Sequence, residues 1–308
     1  MIYLSLKGGL GNQMFQYAAA RSMAIDTNEE ITLDLKNLNN SKVNHEIYTL
    51  DKLNINSNIK LSNEKINFTI KQNIIYKIII LGIFFRLSYK NKQLNDYFEK
   101  TFQKILNKNG FYQVTSGYIP IKVYNTKIKY FNGYFQSDKY FKKNFNIIRE
   151  ELLVKEKVTK KNKVILDKIK STESVCVHIR RGDYTNLENY LICNISYYLK
   201  AIEIMKEKIK NPKFYIFSDD IEWVKKNINF NANVTYIDKK NTNYEELRLM
   251  YNCKHFIISN SSFSWWAQYL SANENKIVIS PNIWYKDQKQ PQDMILDYFT
   301  TIDVSKLN

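Results

Sequence analysis

Short apolar runs, each followed by a polar break and an amphipathic stretch, set the rhythm of this chain. MIYLSL at residues 1–6 alternates like a buried strand, KGGLGN (Lys7–Asn12) interrupts it with three glycines, and QMFQYAAARSMA (Gln13–Ala24) has helical spacing. ITLDL (Ile31–Leu35) supplies the next strand. A strand, a glycine loop and a helix in that order open a Rossmann-like unit, with the loop at the carboxyl edge of the first strand and a helix amino terminus behind it. Between residues 36 and 135 the pattern loosens into Asn- and Lys-rich segments with short aromatic strands at Phe111–Val114 and Tyr130–Phe135. FNGYFQSDKYF (Phe131–Phe141) reads as a strand running into a turn and a helix.

Ile147–Ile169 predicts one heavily charged helix whose KEKVTKKNK centre marks a solvated linker, so a domain division is expected between 155 and 172. Beyond it the strand–helix alternation resumes. SVCVHI (Ser174–Ile179), KFYIFS (Lys213–Ser218), NVTYID (Asn233–Asp238), FIIS (Phe256–Ser259) and KIVISP (Lys276–Pro281) read as strands. Asn194–Ile209, Ile221–Asn227, Asn243–His255 and Phe263–Ala272 read as the intervening helices, with Asn243 and Glu246 at capping-box spacing. The fold expected is therefore α/β, with two Rossmann-like doubly wound domains, 1–160 and 161–308. No internal repeat is visible.

Composition changes this picture little. With 308 residues, 44% hydrophobic and 25% charged, the chain can bury large cores and is not a disordered polymer. The net charge of +16 predicts attraction to anionic surfaces. Three cysteines without a CxxC pair and three histidines argue against structural zinc and for reduced thiols. MIYLSL has no basic n-region or cleavage site, which disfavours a secreted form. Ile74–Leu87 (IIYKIIILGIFFRL) contains Lys77 and Arg86 and falls short of the ~20 apolar residues of a membrane span. It reads as a buried or interfacial helix, with membrane-surface contact as the alternative.

Candidate chemistry gathers where strands end. HIRRGD (His178–Asp183), Ser218–Asp220 and Ser259–Ser262 each close a strand of the second half, and in a parallel sheet all carboxyl ends lie on one side. Only six of the 46 basic residues are Arg, so adjacent Arg180 and Arg181 stand out, and a guanidinium fork matches phosphate oxygens as an ammonium does not. Carboxylates for ribose or base donors and hydroxyls at a helix start complete the groups a nucleotide needs. Plainer readings exist for each: a helix cap for Ser259–Ser262, a first-turn acidic pair for Asp219 and Asp220, a core residue for His178, and core packing for Trp265 and Trp266.

HIRRGDY, the stretch ELRLMYNCKHFIISNSSFSWWAQYL (246–270) and GGLGNQMFQYAAARSMA (8–24), with YIFSDDIEW between the first two, together resemble the bacterial-type α-1,2-fucosyltransferase family. The resemblance implies a GT-B-like fold with domains facing across a cleft, GDP-fucose as donor, inversion at the anomeric carbon, and no required metal or cofactor. It implies Arg180 as the cation on the β-phosphate with Arg181 beside it, and His178 with Asp219 or Asp220 at the guanine or ribose. Asn260, Ser261, Ser262 and Phe263 would hold the diphosphate. Gly9, Gly11 and Asn12 would approach the diphosphate or the acceptor from the first domain, the expected acceptor side. Asp183 is the nearest candidate base, or else orients an Arg. The implied acceptor is a galactose hydroxyl, O-2, of a glycan such as a surface-polysaccharide precursor. A lipid-linked acceptor and a cytoplasmic enzyme touching an anionic membrane would account for the basic surface, and nucleic acid is not an expected partner.

Two other classes compete. A nicotinamide oxidoreductase would use KGGLGN and Asp34, although Met14 stands where the dinucleotide fingerprint has its third glycine. A non-catalytic polyanion-binding protein would rest on the net charge alone.

Overall fold

A computed structural model describes residues 1–41, 46–64, 66–78, 102–114, 117–182, 189–238, 240–286, 290–291 and 293–307. They form two compact units, one of Met1–Tyr48 with Ile55–Ile148, the other of Thr49–Asn54 with Arg149–Asn308. Residues 149–160, which the sequence pattern assigns to the first domain, belong to the second unit.

The first unit is built on a parallel sheet of β1 (Ile2–Ser5), β2 (Ile31–Asp34), β3 (Lys60–Ser62), β4 (Phe111–Val114) and β5 (Lys129–Gly133), in the order β3-β2-β1-β5-β4. Central β1 pairs Leu4 with Leu33 on one side and with Phe131 on the other. Parallel strands are covered on both faces, which is why β1 and β2 read as apolar runs. The helix Leu10–Thr27 starts three residues before the apolar pattern suggests, because the Gly9 carbonyl already accepts from Asn12 N at 2.9 Å and Gln13 N at 3.1 Å. Its buried Met14, Phe15, Tyr17 and Ala18 pack inward.

The second unit carries β6 (Ser174–Ile179), β7 (Lys213–Ser218), β8 (Val234–Tyr236), β9 (His255–Ile257), β10 (Val278–Pro281) and β11 (Thr300–Ile302), all parallel, in the order β11-β10-β9-β6-β7-β8. Counting from β6, this is the doubly wound order 3-2-1-4-5-6, and the winding reverses between β6 and β9. In the first unit it reverses between β1 and β5. Ligands of such sheets bind outside the carboxyl ends at these reversal points.

The single charged helix expected over 147–169 is two, Phe145–Leu152 and Lys160–Ser171. Thr159 caps the second by accepting from Asn162 N at 3.2 Å, and Val154 between them pairs antiparallel with Leu53. Helix Ile195–Lys208 buries Tyr197, Tyr198, Ala201, Ile202 and Met205, one face at helical spacing, and Asn194 caps it through Tyr197 N at 2.9 Å. Full burial of a side chain the size of Ile202 or Met205 contributes about 2 kcal/mol. Trp265 and Trp266 are fully buried, with Trp265 Nε1 donating to Met294 O at 3.0 Å, so both are core and not a sugar platform.

Candidate functional site

Three chain segments meet at the carboxyl edge of β6, β7 and β9, and Asp219 ties the first two together. Its Oδ2 lies 2.9 Å from Arg180 Nη1 and its Oδ1 accepts from the backbone N of Arg181 at 2.9 Å. A Cβ on Gly182 would stand 2.7 Å from Asp219 Oδ2, so any side chain there would push the carboxylate from its place against Arg180. Arg181 lies over the Trp223 ring, its Cζ 3.3 Å from the ring centroid, and its Nε is 3.5 Å from Asp220 Oδ2. Both guanidiniums are thus held from one side by carboxylates and keep partial solvent exposure, 23% for Arg180 and 21% for Arg181.

His178, the penultimate residue of β6, is buried, and its Nδ1 is 3.1 Å from Ser259 Oγ. Burial pushes its pKa down to about 4, helped by the Arg180 charge and opposed by Asp219, so the imidazole is neutral at neutral pH. Its ring is 5.8 Å from that of Phe263, which brings the β6 edge against the start of helix Ser262–Leu270. Ser261 caps this helix, accepting from Phe263 N at 3.3 Å, and Ser264 Oγ donates to the carbonyls of Ser259 and Ser261. Ser262 is half-buried, with no side-chain partner among the described residues, at the positive end of the helix dipole. Asn260 is placed differently: it is buried, and its amide donates to Tyr190 O at 2.9 Å and Trp284 O at 3.0 Å, fastening the loop from within.

Glu246 was not singled out from the sequence, where it read as the partner of Asn243 in a capping box. Thr242 is the residue at the cap, Glu246 N donates to Thr242 O at 3.0 Å, and Asn243 Oδ1 accepts from Tyr244 N at 2.8 Å. The Glu246 carboxyl instead shares its surroundings with Asp219 and Arg180. Burial, then the Asp219 charge, push its pKa up to about 8 against the opposing pull of Arg180, so it is largely protonated at neutral pH. An acidic residue one turn into a helix carries no sequence signal for this; burial in the folded chain, with Asp219 nearby, does it. Trp223 was likewise missed, having read as one apolar position of a short helix.

Gly9, Gly11 and Asn12 belong to the first unit, at its own reversal point. The glycine in a left-handed conformation there is Gly8, at φ 77°, where a Cβ would be 2.6 Å from the Asn12 amide. Asn12 Oδ1 accepts from Gln136 Nε2 at 3.0 Å. Lys7 Nζ is 3.3 Å from Asn132 Oδ1 and 4.8 Å from the centre of the Tyr134 ring, with no carboxylate partner among the described residues, and burial lowers its pKa. Asp34 Oδ1 accepts from Lys36 N at 3.1 Å, closing a turn. Asp183 lies outside the described residues. Among those described, no cluster of His, Cys, Asp or Glu could hold a metal ion.

The pattern over residues 1–301 matches the model of glycosyl transferase family 11. The chain belongs to that family. An alpha-1,2-colitosyltransferase of Escherichia coli is 34% identical to this family 11 chain, over 94% of each protein. The O-antigen biosynthesis glycosyltransferase WbnK of Escherichia coli is 28% identical, covering 92% of this chain and 95% of its own. Among solved structures, the alpha-1,6-fucosyltransferase NodZ soaked with GDP-fucose superimposes with a TM-score of 0.55 over 91% of this chain and 94% of its own. At 9% identity that likeness speaks for the fold alone, two parallel α/β sheets of GT-B type. The fold class and the resemblance to α-1,2-fucosyltransferases expected from the motifs are borne out, and family membership sets aside the nicotinamide and polyanion-binding readings.

Proposed function

We propose that this family 11 chain transfers a 6-deoxyhexose, read from its motifs as fucose, from a GDP-sugar to O-2 of galactose in a glycan. The observation that carries the proposal is the pair of guanidiniums held by Asp219 and Asp220 at the edge of β6, where His178 reaches Ser259 and Phe263 at the start of helix Ser262–Leu270. Cations and helix-end amides converging at a sheet reversal point suit a diphosphate. Breaking the C1–O bond leaves negative charge on the β-phosphate while the sugar ring becomes oxocarbenium-like. A guanidinium already fixed by Asp219 stabilises that charge more than it stabilises the bound donor. The acceptor oxygen forms the new bond to C1 from the opposite face, inverting it, and its proton passes to a base, for which Asp183 is the candidate. Neutral His178 and protonated Glu246 are suited to the uncharged polar edges of a nucleoside. No step in this scheme requires a metal. Acceptor binding falls to the first unit, whose reversal point offers Lys7, Asn12, Asn132 and Gln136 with the Tyr134 ring, amides and an aromatic suited to a polyol.

The test is incubation of the purified chain with GDP-fucose or GDP-colitose and a panel of galactosides in EDTA. The expected result is release of GDP with a new 1,2-linked glycoside. Product from GDP-colitose alone would replace fucose as the donor sugar, and no product from either donor across the panel would refute the proposal.

A further inference from the structure

The helix over residues 70–78 is packed the wrong way round for a soluble protein. Its polar Gln72 faces inward, 7% exposed, with Nε2 donating to Asn109 O at 3.1 Å and Ile128 O at 3.2 Å. Tyr76 on the same side stacks on Phe111 at 6.2 Å between ring centres. Facing outward are Ile70, 83% exposed, Ile74, 56%, and Ile78, 61%. At about 100° per residue, the three isoleucines occupy one stripe with Lys71 at one margin and Lys77 at the other. The helix over residues 102–108 has the same inversion: Gln103 and Asn107 are buried, while Phe102 and Ile105 are exposed beside exposed Lys104 and Lys108. The sequence has no acidic residue from Ile66 to Asn95.

Large aliphatic side chains turned to water, when amides of the same helix are turned to the core, require an apolar partner. The flanking lysines require that partner to be negative. A second copy of the chain docking by the same face would oppose lysine to lysine. We propose that this face docks on an anionic phospholipid bilayer, with helix 70–78 lying in the interface plane, Ile70, Ile74 and Ile78 at the acyl boundary, and Lys71 and Lys77 against lipid phosphates. No helix among the described residues is long and apolar enough to cross a membrane, and this face needs none.

Co-sedimentation of the full chain with phosphatidylcholine vesicles, with and without phosphatidylglycerol, tests the proposal. Binding is expected only with phosphatidylglycerol and weakens as salt rises. Ile74→Asn and Ile78→Asn each lower partitioning by about tenfold. Lys71→Gln and Lys77→Gln each lower it by about fivefold. Because these side chains are exposed, the thermal midpoint stays unchanged, and a midpoint measurement separates lost docking from lost folding. Wild-type protein remaining in the supernatant with phosphatidylglycerol would overturn the proposal, as would isoleucine variants that bind as well as wild type. Light scattering that shows a dimer broken by the same isoleucine changes, without vesicle binding, would also overturn it by identifying a self-interface.

Discussion

The two sheets of this chain share a plan and differ in what they place at the point where the winding reverses. In the second unit the β6 and β7 edges carry two guanidiniums opposed by two carboxylates within 4 Å, and Glu246, from the helix Asn243–Tyr251, is held protonated near them by burial and the Asp219 charge. In the first unit the β1 and β5 edges carry Asn12, Asn132 and Gln136, with Lys7 as the cation and no carboxylate to match it among the described residues. Elsewhere in the same unit a lysine is matched: Lys129, more deeply buried than half-buried Lys7, is paired with Glu29. Topology supplies an edge where ligands bind, and side chains decide which ligand. Opposed charges held in place suit a diphosphate whose charge grows during reaction, whereas amides and an aromatic ring suit a neutral glycan.

The comparison breaks most sharply at Arg180. Arg180→Ala should lower kcat by about 100-fold or more while leaving acceptor KM within about threefold, measured by GDP release. Near-normal turnover would remove the contrast between the units. A smaller effect sharpens the other side: Lys7→Met should raise acceptor KM by about tenfold, with GDP affinity by calorimetry unchanged. Weakened GDP binding would instead give the first unit a share of the donor.

The smallest effect concerns stability. Glu246 has a folded pKa of about 8 against an ordinary value of 4.5, so between those values the folded state binds more protons than the unfolded one and stability falls as pH rises. Glu246→Gln should remove that slope, raising the thermal midpoint by about 2 °C or more above pH 8 and changing it little below pH 4.5. His178 runs the other way: its depressed pKa costs stability as pH falls from 6.5 towards 4. A midpoint profile that Glu246→Gln leaves unchanged would take Glu246 out of the charged cluster.

Local pattern and chain order carried much of this protein. The apolar runs of β1, β6 and β7, buried on both faces, could be read because parallel strands admit little but apolar residues. HIRRGDY and Ser259–Ser262 stood out because rare arginines, a glycine and hydroxyls follow such runs directly. Other features depend on partners distant in sequence. Asp219 is bound to Arg180 and to the Arg181 backbone across sequence separations of 39 and 38, Asn260 proves to be a tether for Tyr190 and Trp284, and Glu246 acquires its raised pKa from burial and the Asp219 charge against the pull of Arg180. The break in the 147–169 helix and the inverted helix at 70–78 belong with these. Periodicity says which residues share a face, but only packing says which face is turned inward. Hydrophobic period and turn chemistry are written residue by residue, so the sequence alone determined the α/β order and the strand-end clusters. Charge pairing, desolvation and the choice of buried face are sums over neighbours brought together by folding, so only the tertiary structure decided them.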